Sequence, residues 1–262
     1  MEYLGYLLSI IIGLSLGLIG GGGSILAVPI LVYLFNIQPE QATSYSLFIV
    51  GITAMVGSYG QYRLGNLKIK AALVFAIPSV LSLLFVRDVL LPKIPAILFT
   101  VDSFEMSKNL VIMTVFALLM IAASISMIQT AAPKEIVQRD DHLRIAIIGL
   151  LVGFITGFLG AGGGFLIIPA LLFFGNLPIK QAIGTSLLII FINSLIGFGG
   201  DVLNGTDINY KLLFTISAIA LFGMFIGTYL SKKIDGDKLK PIFGWFVLLM
   251  GFYIIIKEFL LH

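Results

Sequence analysis

From Tyr3 to Pro39 the sequence holds no Asp, Glu, Lys, Arg or His, and the same is true from Ile145 to Ile179. Stretches of that length without charge do not suit a water-soluble domain, in which about a quarter of residues are charged. The whole chain shares the bias, with 59% hydrophobic and 11% charged residues over 262 positions. A bilayer is the solvent such a chain requires, and there only helices and closed barrels satisfy their own backbone. Barrel strands alternate apolar and polar residues over about ten positions. IAIIGLLVGFI at 145–155 and FVLLMGFYIII at 246–256 do not alternate, so the expected class is an all-α polytopic membrane protein. The first segment lacks a basic leader and a small-residue cleavage site, and is expected to be retained.

Both charge-free stretches are interrupted, by LIGGGGSILAVPIL at 18–31 and FLGAGGGFLIIPAL at 158–171. Glycine costs about 1 kcal/mol per position inside a helix, so three or four together break it. In lipid each unpaired backbone group costs several kcal/mol unless protein or water meets it, so the break is expected to face a cavity. The N–H groups opening the next helix would attract an anion there. Ser24 stands where an N-cap would, and Pro29 relaxes the first turns or opens the helix. The competing reading is close packing of small residues between helices.

The interruptions belong to a repeat. A shift of 140 residues places Gly13, Gly17, Gly20, Gly22, Gly23, Leu26, Pro29, Leu31, Asn36, Gln41, Ala42, Ser46, Leu47 and Ile49 on identical residues, and Gly57, Gly60 and Gly65 continue the register. Ten apolar segments can be drawn, five per copy: roughly 4–19, 24–35, 42–60, 70–87 and 109–128, then 145–160, 164–175, 181–200, 210–230 and 241–260. The second of each copy is too short to span a hydrocarbon core of about 30 Å alone. The expected organisation is a first membrane repeat over 1–130, a cytoplasmic linker over 131–144 and a second repeat over 145–262.

Five segments per copy make the second copy inverted. The alternative is eight spans with parallel repeats, in which each broken pair fuses into one crossing. Ten segments put eleven of the sixteen Lys and Arg residues on one side and five, Arg87, Lys93, Lys108, Lys211 and Lys257, on the other; eight crossings divide them equally. The inverted arrangement restores a positive-inside asymmetry and places both termini outside. Parity is unchanged if each broken pair dips in and returns, so crossing and re-entry are not separated.

The expected substrate-binding residues are Gly21, Gly22, Gly23 and Ser24 of the first break and Gly162, Gly163 and Gly164 of the second. Two breaks related by inversion would meet near the midplane, as recurs in secondary transporters. The motif QATSYSL at 41–47, against QAIGTSL at 181–187, adds Gln41, Ser46, Gln181, Thr185 and Ser186, with Ser44 beside them. Hydroxyls and amides bond an oxyanion without adding charge; helix-to-helix bonding is the competing reading. Ser46 and Ser186 are the leading pair, Asn193 and Gln61 follow, and Arg63 is read as an anchor.

No buried carboxylate is expected as a proton carrier. With the inside about 100 mV negative, each negative charge leaving gains about 2.3 kcal/mol, which favours export of an anion without a coupling ion. The chain has no cysteine, its two histidines, His142 and His262, form no cluster, and the glycine runs lack the G-K-[ST] of a nucleotide loop. Neither an enzyme, a cofactor, a metal site nor a nucleic-acid partner is therefore expected. A channel for anions or small solutes remains the alternative function, since half-helices also line pores. The partners expected are a small anion and the bilayer, with a homodimer left open.

At GGGGSILAVPILVYL and GAGGGFLIIPALLFF, each followed by QAxxxSL, the chain resembles the sulfite exporter TauE/SafE family, also called the four-toluene sulfonate uptake permeases. The resemblance covers nearly the whole chain. It implies a prokaryotic inner-membrane carrier of sulfite, sulfoacetate or related organosulfonates. QYR at 61–63 and DVLN at 201–204 depart from a His-containing stretch. Family members have often been described with seven or eight spans, against the ten segments drawn here.

Overall fold

A computed structural model describes residues 2–101, 104–128, 142–160, 163–231 and 236–260. Among the described residues ten α-helices follow the segments in order: α1 (Glu2–Ile19), α2 (Ala27–Phe35), α3 (Pro39–Arg63), α4 (Ile69–Leu84), α5 (Lys108–Ile128), α6 (His142–Leu159), α7 (Gly164–Phe173), α8 (Ile179–Leu203), α9 (Tyr210–Leu230) and α10 (Gly236–Leu260). A 3-10 turn over Gly21–Leu26 separates α1 from α2, and α4 runs on through a π-helical turn, Phe85–Leu90. Among the described residues, six helices are long and apolar enough to cross a bilayer: Pro39–Arg63, Ile69–Lys93, Lys108–Ile125, His142–Leu159, Lys180–Leu203 and Tyr210–Leu230. The chain is thus an all-α polytopic membrane protein with one addition. In a stretch that carried no expected structure, two strands, β1 (Ile97–Val101) and β2 (Phe104–Ser107), pair antiparallel. Most of the expected linker lies outside the described residues, and α6 already begins at His142.

Local features recur at the same 140-residue spacing. Asn36 and Asn176 both take left-handed backbone, at φ 54° and 48°, where a helix C-terminus turns out. Behind them Ile37 N donates to Leu31 O and Leu177 N to Leu171 O, each at 3.2 Å.

Glycine rows let helix backbones approach to contact, which supplies packing where lipid gives no hydrophobic drive. On α1, Gly13 lies against Ala220 and Gly17 against Gly227 and Thr228 of α9; on α6, Gly149, Gly153 and Gly157 lie against Phe75, Ser79 and Leu83 of α4. Residue numbers rise together in both interfaces, so α1 runs parallel to α9 and α6 parallel to α4. The long helices α3 and α8 run the opposite way to each other: Phe48 meets Phe198 with tilted rings, Gly51 meets Leu195, Gly57 meets Leu187 and Gly184 meets Gln61. These two form the middle of the protein, and their buried faces carry polar groups, among them Ser46, Thr53, Asn193 and Ser194. The outward faces of α4 and α9 instead expose Ile77, Leu81, Phe222 and Phe225, as a lipid-facing surface does.

Candidate functional site

The two glycine breaks come together. α1 ends at Gly20, whose φ of 75° only glycine adopts readily, and α6 ends at Gly160, with φ 61°. The chain then turns back, and α2 returns far enough for Phe35 to lie against Gly5 and Tyr6 at the start of α1. At the tips of these hairpins Gly21 and Gly164 touch backbone to backbone, and Gly164 also lies against Ile190, near the middle of α8.

Packing by itself already requires several glycines in this junction. A side chain at Gly21 would enter Gly164, one at Gly23 would enter the α1 backbone at Leu16, and one at Gly163 would enter Thr156. Gly22 lies within the 3-10 turn, and Gly162 lies outside the described residues. Ser24 is not an N-cap: it is the fourth residue of the 3-10 turn and donates to Gly21 O at 2.8 Å, while Leu26 precedes α2 and Pro29 is its third residue. Three-residue back-bonding suits a 3-10 turn and occupies the hydroxyl that capping would have used.

The residues of the QAxxxSL motifs separate by what they bond. Gln41 donates to Asp207 O at 2.6 Å, joining α3 to the segment before α9. Thr185 accepts from Lys68 N at 3.1 Å, and Ser186 donates to Ile183 O at 2.8 Å in its own helix. Ser46, by contrast, is fully buried and its oxygen has no partner. Unpartnered too are Gln181 Oε1, Ser194 Oγ and Asn193 Oδ1, although the Asn193 amide nitrogen donates to Ser79 at 2.7 Å. Unsatisfied buried polar atoms are uncommon and mark places where a water, ion or ligand can bind. Ser194 packs on Gly51 of α3 and lies one helical turn beyond Ile190, the residue that meets Gly164.

The charged part of the site was not expected. Arg87, counted among the loop cations, is only 6% exposed, and so is Asp201. The absence of a buried carboxylate is therefore corrected. Arg87 Nε donates to Asp201 Oδ1 at 2.7 Å, and Nη2 contacts Asp201 Oδ2. Nη1 donates to Gly157 O at 3.1 Å, and Nη2 also donates to Ser44 at 2.9 Å and Thr43 at 3.3 Å. The π-helical turn at the end of α4 carries Arg87 inward, so α3, α4, α6 and α8 are tied at one point. The sequence signal was an arginine inside the apolar run SVLSLLFVRDVLLP, which a segment boundary drawn at residue 87 hid. This cluster floors a cleft of about 460 Å³ lined also by Gln38, Gln41, Leu91 and Asn204. Among the described residues no group of His, Asp and Glu is gathered that could hold a metal ion.

Residues 6–254 match the family described as Sulfite exporter TauE/SafE. The chain belongs to that family. Curated relatives include a probable membrane transporter protein of Xylella fastidiosa, 28% identical over 94% of this chain and 91% of the relative. Another is the probable membrane transporter protein YunE of Bacillus subtilis, 26% identical over 95% and 97%. A third, the probable membrane transporter protein MJ0441 of Methanocaldococcus jannaschii, is 25% identical over 95% of both chains. No solved structure matches.

Proposed function

We propose that this TauE/SafE member is a secondary transporter that moves sulfite or a small organosulfonate anion outward across a prokaryotic inner membrane. The observation that carries the reading is the contact of Gly21 with Gly164 beside Ile190, near the middle of α8. Within a turn of Ile190 on α8, Asn193 and Ser194 hold buried polar atoms without partners, and Ser46 holds another on α3, toward the end where Ser44 meets Arg87. Hydrogen-bonding groups without net charge suit a pyramidal or tetrahedral oxyanion that must also be released. The residues proposed to line the substrate path are Gly21, Gly22, Gly23 and Ser24 with Gly162, Gly163 and Gly164 at the junction, Gln41 and Ser46 toward one face, and Gln181, Thr185 and Ser186 toward the other.

The fold in this reading is two inverted five-segment repeats, 1–130 and 145–262, joined by a cytoplasmic linker. Its support is the antiparallel course of α3 and α8, equivalent helices of the two copies, with α1 parallel to α9 and α6 parallel to α4. The ends of α3 near Gln41 and of α8 near Asp201 then share the outer face with both termini, and the Lys- and Arg-rich ends share the inner one.

Proteoliposomes loaded with radiolabelled sulfite test this. Saturable efflux that increases with an outside-positive potential is the expected result. Flux that rises linearly with concentration at channel rates, or no flux for sulfite and for organosulfonates, overturns it.

A further inference from the structure

We propose that Arg87 is a second anion-binding site on the outer side of the path, and that Asp201 is a resident carboxylate which competes with the transported anion for it. This rests on the transport reading above and adds to it the residue that receives the anion after the glycine junction.

Three observations place an anion at Arg87. First, the guanidinium edge formed by Nε and Nη2 is occupied in two-point fashion by the Asp201 carboxylate, and a sulfite or sulfonate group presents the same pair of oxygens. Ser44, whose oxygen accepts from Nη2 at 2.9 Å, keeps a hydroxyl proton for a third oxygen. Second, the pair is buried but not sealed, because both residues line the cleft of about 460 Å³. Third, Arg87 adjoins the second glycine break. Its Nη1 holds Gly157 O, and Thr43, which accepts from Nη2, lies against Gly160.

Asp201 suits the part of an exchangeable ion. It lies in the last turn of α8, where the helix dipole disfavours negative charge, so its position depends on Arg87. When an anion takes the guanidinium, the carboxylate has the cleft beside it, with Asn204 and Thr206 in the lining. When the carboxylate returns, the anion is displaced outward. Around the cleft Glu40, bound by Lys108, Asp88, bound by Asn204, and Asp207 add negative charge, which shortens the stay of a released anion near the mouth. The device exists on one face only: at the 140-residue shift Asp201 corresponds to Gln61 and Arg87 to Gly227. An anion at the junction therefore meets a guanidinium in one direction and none at the equivalent position in the other.

Equilibrium binding of radiolabelled sulfite to the purified full-length protein, with flux in proteoliposomes, tests the proposal. Asp201→Asn keeps a hydrogen-bond acceptor and removes the competing charge. It is expected to tighten apparent binding about ten-fold or more, as removing an occluded state raises the competent fraction, and to slow flux. The double variant Arg87→Gln/Asp201→Asn leaves no stranded charge, and is expected to fold and to lose that gain. If the wild type binds and moves sulfite while Asp201→Asn and the double variant bind with wild-type affinity, Arg87 is a structural tie and this inference falls alone. If the wild type neither binds nor moves sulfite or methanesulfonate, the transport reading fails and takes the inference with it.

Discussion

Gly21 and Gly164 touch backbone to backbone near the middle of α8, although they come from opposite halves of the chain. Neither can carry a side chain without moving the other's hairpin tip. Gly21→Ala and Gly164→Ala are each expected to lower stability by about 1–3 kcal/mol, the usual range for overpacking. Thermal unfolding in detergent measures this, and an unchanged midpoint for either would show that the tips are not in contact.

Ser46 and Ser186 are equivalent in sequence but not in bonding, because Ser186 spends its hydroxyl proton on Ile183 O while Ser46 has no partner. Ser46→Ala removes an unsatisfied buried oxygen, so stability is expected to hold within about 1 kcal/mol or to rise. Sulfite flux is expected to fall at least several-fold, and by less in Ser186→Ala. Wild-type flux in Ser46→Ala would remove Ser46 from the substrate site.

Arg87→Ala strands the Asp201 carboxylate in a buried place, and breaking a buried pair this way costs about 3–5 kcal/mol. Replacing both, as Arg87→Met with Asp201→Leu, is expected to recover most of that stability while sulfite binding at Arg87 is lost. The comparison of unfolding midpoints checks it; equal loss in the single and double variants would mean that the pair is not buried as described.

The chain has no cysteine, so single introduced cysteines report topology without background. Leu64 follows α3 and Leu203 ends α8; both are exposed, at 50% and 88%. With α3 and α8 antiparallel, Leu203→Cys is expected to react with an impermeant maleimide on intact cells. Leu64→Cys is expected to react only after permeabilisation. Labelling of both from the same side would exclude the inverted arrangement.

Apolar length, glycine runs and a repeat are properties of neighbouring residues, so ten segments and their boundaries could be read from the sequence to within a few residues. The short second helices followed from the same local signal, as did the meeting of the two breaks once duplication was recognised. The paired strands β1 and β2 escaped because the periodicity of so short a ribbon is indistinct beside flanking apolar runs.

By itself, then, the sequence determined that this chain lives in a bilayer, that it is built from a doubled pattern and that each copy is broken at glycine. Only the tertiary structure decided which hydroxyls remain unpaired and which charges are buried. Ser46 differs from Ser186 through the atoms around it, and Arg87 meets Asp201 only because α4 and α8 run side by side from distant parts of the chain. Burial of a charge is tolerated or forbidden by its partner, and that partner is fixed by packing rather than by local sequence.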